Sequence, residues 1–144
     1  MEYRRLTIDD LAMVMAMNRD FRAGFAEESS LRAFLCDPDC WLFAAVEERR
    51  IIGFAYGYAL QRLNTQRKML YIHEVGVLDA FQRHGIGTRL MEKLREACET
   101  EHICKMFLIC YQNNTAANAL YRKAGGETMI ESQGMDTVYW FQIP

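Results

Sequence analysis

The chain has 144 residues, 51% hydrophobic and 25% charged, the balance of a single globular domain over 1–144 and not of a disordered or collagen-like chain. Seventeen basic and nineteen acidic side chains leave a net charge of −2, which excludes the basic footprint of a nucleic-acid binder. A domain this long hides roughly 68–70% of its unfolded surface, so it needs neither disulfides nor metal for stability.

The five cysteines, at 36, 40, 98, 104 and 110, form no Cys-x-x-Cys motif, and no histidine has a ligand partner at helical spacing. They read as small buried hydrophobes, with no metal site. The Met1–Leu6 start lacks the apolar stretch of a secretion signal. No run reaches the eighteen apolar residues of a membrane span. A cytoplasmic protein without a membrane partner is expected.

Arg4 to Thr7 reads as a short strand, and Thr7 with Asp10 as a capping signal for a helix over about 8–21. Leu31, Phe34 and Leu35 mark a shorter helix that Asp37-Pro38-Asp39 ends. Trp41–Val46 and Ile51–Leu60 flank a polar turn and predict a hairpin. Strict alternation puts Ile52, Phe54, Tyr56 and Tyr58 on one face of the second strand. Gly53, Ala55, Gly57 and Ala59 then make a face of small residues that a helix or ligand can approach closely.

A polar loop over 61–68 leads to a third strand, Met69–Leu78. Ile86, Leu90, Leu94 and Ala97 then step at helical spacing and predict a helix over about 85–100. A buried strand follows from Cys104 to Cys110, then a helix from Thr115 to Ala124, stopped by Gly125-Gly126. Two closing strands are expected near 127–131 and 136–142. The order is mixed α/β, and the strand–helix–strand unit over 69–110 should be a parallel, right-handed crossover.

The strand running into Gln82-Arg83-His84-Gly85-Ile86-Gly87-Thr88 is the most informative segment. Glycines at a helix start let a ligand come close to unpaired N–H groups and the positive end of the helix dipole, which suits a pyrophosphate. Arg83, His84 and Thr88 would add donors. Read alone, the same residues equally describe a glycine-softened turn with solvated basic side chains. Alternation groups Glu74 with Leu70, Ile72 and Gly76. A carboxylate in that apolar row is partly desolvated, which raises its pKa and suits a base, or else it is a structural hydrogen-bonding group. His73 falls on the opposite face and reads as packing. Tyr121 beside Leu120 reads as helix packing or as a proton donor. Tyr3, Trp41, Tyr56, Tyr58 and Trp140 read as core or pocket wall.

Strand, then Gln82-x-x-Gly85-x-Gly87, then helix resembles the acyl-CoA pyrophosphate loop of the GCN5-related N-acetyltransferase (GNAT) superfamily. Downstream, Asn114-Thr115-Ala116-Ala117-Asn118-Ala119-Leu120-Tyr121 resembles its Asn-x-x-Ala-x-x-Leu-Tyr segment. The resemblance covers the whole chain and implies a central mixed, splayed β-sheet flanked by helices. It implies acetyl-CoA as donor, without a metal. Val75, Gly76 and Val77 would hold the pantetheine arm, and the loop residues Gln82, Arg83, His84, Gly85, Ile86, Gly87 and Thr88 the pyrophosphate. Asn114 would contact the cofactor, and Tyr121 would be the general acid. Glu74 would be the base for a primary amine attacking directly in a ternary complex.

Within the superfamily the chain is most similar to aminoglycoside 3-N-acetyltransferases, which are antibiotic-resistance enzymes, through Tyr71-Ile72-His73-Glu74-Val75-Gly76-Val77 and flanking segments. Their usual aspartate is Glu74 here, and an aspartate near the C-terminus appears as Gln142. Both departures bear on a polycationic acceptor. Peptide N-termini, polyamines and small metabolites stay open as acceptors, as does a catalytically silent acyl-CoA sensor. The resemblance is also compatible with a homodimer. A dinucleotide-binding domain is excluded because the glycine loop follows several strands and no second βαβ unit comes after it.

Overall fold

In this computed structural model, residues 1–21, 26–128, 139, 141 and 142 are described. One five-stranded sheet has the order β1-β2-β3-β4-β5. The strands are β1 (Glu2–Arg5), β2 (Cys40–Glu47), β3 (Arg50–Leu60), β4 (Met69–Val77) and β5 (Lys105–Leu108). The first four pair antiparallel, and β4 pairs with β5 in parallel. The crossover over 69–110 is therefore parallel, as the alternation of periods predicts.

Among the described residues, four α-helices cover the two faces: α1 (Leu11–Phe21), α2 (Glu28–Cys36), α3 (Ile86–Thr100) and α4 (Thr115–Lys123). The stretch read as one helix from residue 8 begins as a single 3-10 turn, Ile8–Asp10. Thr7 and Asp10 close a reciprocal capping box there, which satisfies two orphan N–H groups at the helix entry. Most of the two expected closing strands, and Trp140, lie outside the described residues.

The sheet separates two apolar layers. Val14, Leu42, Ala44, Ile51 and Phe54 pack under α1 and α2. Phe43, Ala45, Ile52, Ala55, Leu70 and Ile72 pack with Ile86, Leu90 and Leu94 of α3 on the other side. Ile52 thus does not share the face of Phe54. Val46 pairs with Ile51 and Ala45 with Gly53, so Ile52 is an extra residue, a β-bulge that turns it toward α3.

Candidate active site

A second bulge reshapes β4. Tyr56 pairs with Glu74 and Gly57 with Ile72, which leaves His73 as the extra residue. A Cβ on Gly57 would run into the Tyr71 carbonyl oxygen, so glycine is what lets the two strands close over this kink. The bulge inverts the alternation beyond it. Leu70 and Ile72 belong to the α3-side core, and Val75 and Val77 pack against that same core. Glu74 lies across from Tyr56, on the α1/α2 side of the sheet. Its expected place in a row with Leu70 and Ile72 is corrected, and so is the expected separation of His73 from it. Both side chains belong to one face, where the His73 ring sits 5.4 Å from that of Tyr56. Glu74 is half-buried there.

β4 and β5 pair only from Met69–Lys105 to Ile72–Leu108. Beyond Ile72 the strands part, so His73 to Val77 have β3 on one edge and no β5 on the other. Here the sheet forks. The Gln82 side-chain amide donates to the Val77 carbonyl at 3.1 Å and to Asp79 Oδ1 at 3.2 Å, which ties the following loop to the end of the forked strand.

That loop enters α3 through two left-handed residues, Arg83 at φ 64 and Gly85 at φ 78. Gly85 is the N-cap, no side chain caps the helix, and its first turn holds no acid. The first backbone bond is donated by Arg89 to the Gly85 carbonyl, so the N–H groups of Ile86, Gly87 and Thr88 precede the helical ladder. A Cβ on Gly85 would meet no atom within 4 Å. The approach to this helix end is open, flanked by exposed Arg83 and His84. His84 keeps its Nδ1 3.0 Å from the Phe81 carbonyl. Gly87 also bears on the packing of α3. A Cβ there would sit 3.0 Å from Leu120 Cδ2, so its absence lets α4 close against α3.

α4 carries Tyr121. Asn114 is its N-cap, with Oδ1 accepting from the Ala117 N–H at 3.1 Å. The helix ends in a double turn, Gly125 N–H to the Arg122 carbonyl and Gly126 N–H to the Tyr121 carbonyl, the pattern of a left-handed glycine stop. Arg95 on α3 donates to the Ala124 carbonyl at 2.8 Å, which secures the end of α4. Tyr121 packs against the α3-side core. Burial, with Cys110 adding a smaller effect, pushes its phenol above the usual 10.0, so it holds its proton at neutral pH.

Residues 11–126 match the model of the acetyltransferase (GNAT) family. The chain belongs to that family. As a GNAT protein it is an N-acetyltransferase with the mixed, forked sheet of the acyltransferase fold. Among curated proteins none matches it. An aminoglycoside acetyltransferase from an uncultured soil metagenomic sample, solved with sisomicin, is similar in structure at TM-score 0.86 and 19% identity, covering 99% of this chain and 95% of that one. A ribosomal-protein-alanine N-acetyltransferase from Brucella melitensis biovar Abortus 2308 aligns at TM-score 0.75 and 16% identity, covering 98% and 100%. At these identities the likeness is one of fold.

The GNAT fold brings Val75, Val77, Gly87 and Tyr121 to the α3 side of the fork and puts Glu74 on the other side. Two residues that hold α4 and its approach had no role in the motif reading. Arg95 and Asn118 act through main-chain carbonyls, Asn118 Nδ2 donating to those of Tyr111 at 2.9 Å and Asn114 at 2.7 Å. A lone asparagine or arginine on a helix carries no sequence signal for such a contact. Among the described residues, no helix is long and apolar enough to cross a membrane, and no acidic, cysteine and histidine cluster could hold a metal.

Proposed function

We propose that this single domain transfers an acetyl group from acetyl-CoA to a primary amine by direct attack, with an aminoglycoside-type amine as the acceptor class tested first. The observation that carries the reading is the fork in β4. It leaves one strand edge accessible between a carboxylate on one face and a protonated phenol on the other. The donor site fits on its own terms: an uncapped helix N-terminus, no first-turn acid, open space over Gly85, and a free strand edge leading to it.

Acetyl-CoA, when bound, supplies a thioester and a thiol leaving group. The N–H groups at the start of α3 face a pyrophosphate with the positive end of the helix dipole. Arg83 and His84 flank it, with Asn114 at the start of α4. N–H groups on the unpaired edge of β4, around Val75 and Gly76, polarise the thioester carbonyl. Glu74 accepts a proton from the acceptor ammonium, directly or through water. Tyr121 delivers its hydroxyl proton to the departing sulfur, whose reference pKa of roughly 8.5 lies close enough to that of a phenol.

The test measures thiol release from acetyl-CoA over a panel of amines, with mass spectrometry locating the added acetyl group. N-acetyl product from at least one primary amine is expected. Tight CoA binding without any acetylated amine would replace this reading with that of an acyl-CoA sensor. Glu74→Gln keeps the shape but not the basicity. An alkyl ammonium with a pKa near 10.4 is about one part in 2,500 neutral at pH 7. The variant should therefore lose kcat/KM at pH 7 and recover as pH rises. A pH profile identical to wild type removes Glu74 from the proton path.

A further inference from the structure

The bulge in β4 puts His73 immediately beside Glu74 on one face. The His73 imidazole is exposed and lies among three tyrosines, its centroid 5.4 Å from Tyr56, 6.3 Å from Tyr58 and 5.7 Å from Tyr71. Its Nδ1 is 3.1 Å from the Tyr71 hydroxyl, so the ring is held in one orientation. Tyr71 in turn stacks on Phe107 at 5.3 Å. Among the described residues, neither apolar core includes Tyr58, Tyr71 or His73. Tyr58 also meets Phe34 of α2 edge-on at 5.9 Å, so this aromatic wall joins the α2-side packing at Tyr58 and runs out from it to exposed His73.

Ring faces attract cations, and the attraction grows where water is excluded. A carboxylate adjoining such a wall adds a charge of opposite sign to the ligand. Glu74 meets the reacting ammonium, whereas the ring wall extends away from it along β3 and β4. That length of aromatic surface suits further positive charge on the same molecule. We propose that Tyr58, Tyr71 and His73 seat the non-reacting part of the acceptor, and that the acceptor is an amine carrying at least two ammonium groups. His73 is then the residue that sets acceptor specificity. The inference rests on the amine-acetyltransferase reading and narrows its substrate class.

His73 is exposed, so its substitution leaves the fold standing. His73→Lys places a like charge in the wall, and His73→Phe keeps the ring while removing the nitrogens. With spermidine and sisomicin as two polycationic probes, His73→Lys should raise the acceptor KM roughly 3- to 30-fold. The effect should be smaller for propylamine, and the KM for acetyl-CoA should stay unmoved. His73→Phe should stay nearer wild type than His73→Lys. A response to only one probe tells a linear polyamine from an amino sugar as the occupant. In parallel, the imidazole signals of His73 are followed by NMR while each probe is titrated with CoA present. Acetyl transfer with both acceptor KM values unmoved by His73→Lys overturns the seat and leaves the transferase reading intact. Probe binding that shifts the His73 signals, without acetylated product, supports the seat and overturns the transferase reading. His73 signals unshifted by either probe overturn the proposal whatever the turnover.

Discussion

Two weak acids, a half-buried phenol and a buried thiol, show what burial does. Tyr121 sits against the α3-side core and its pKa is raised, first by burial and then by Cys110. Any alkaline limb in kcat from this group should therefore lie above the one an ordinary phenol would give. Tyr121→Phe keeps the packing ring and removes the proton. Turnover should fall roughly 10²–10⁴-fold with melting temperature and CoA affinity little changed. A falling melting temperature with intact turnover would make the residue a packing element only. Cys98 has no such role. It is buried on α3, and its thiol is pushed from 9.0 up to about 11 by burial, then by Glu101 and Glu99. Because the folded value exceeds the unfolded one, its contribution to stability is complete below pH 9. It is lost as pH climbs through about 11. Denaturant midpoints at pH 8 and pH 10.5 should show that decline, with a shallower slope in Cys98→Ala. Native-state alkylation at pH 8 should reach exposed Cys36 and spare Cys98.

At the scale of elements, helix ends and helix contacts determine what a substitution does. Asp10 closes the capping box and also takes a bidentate bond from Arg4 at 2.7 and 2.9 Å, which holds its carboxyl below the usual 3.8. Its contribution is present above that ordinary value and lost as pH falls through the folded one. Asp10→Ala should cost about 1–2 kcal/mol, read as a shift in denaturant midpoint at pH 7 that narrows under acid. Gly87 tests the seam between α3 and α4. The Cβ of Gly87→Ala would sit 3.0 Å from the tip of Leu120, so that side chain must give by a few tenths of an ångström, and a small loss of melting temperature is expected. Gly87→Ala combined with Leu120→Val should recover part of that loss, a coupling measurable in a double-mutant cycle. The elements themselves were legible, because periods of two and 3.6 and the stops at Asp37-Pro38 and Gly125-Gly126 are written in residue types. The bulges were not. Ile52 and His73 have ordinary strand-compatible side chains, and an extra residue is a relation between two strands. No local pattern carries it. For the same reason alternation put Glu74 on the wrong face.

For the molecule as a whole, the proposed reading divides the site between the two faces of one forked sheet. It puts the donor side between α3, α4 and the free edge of β4, and the acceptor side on the aromatic face across the sheet. Filling the donor side alone should therefore stabilise the fold without any amine. Free CoA at 100 times its dissociation constant should add about 2.7 kcal/mol, seen as a higher melting temperature. Wild type and Tyr121→Phe should respond alike. The bulge at His73 has one more consequence, which concerns length and not chemistry. A strand has only two sides, so one residue more or less acts as a parity switch on everything downstream. Changing the identity of residue 73 tunes an exposed ring. Removing the residue would swap sides for Glu74, Val75, Gly76 and Val77 together, sending a carboxylate into the hydrocarbon under α3. Lineages of this chain should thus change what stands at position 73 only together with the acceptor, and almost never whether something stands there.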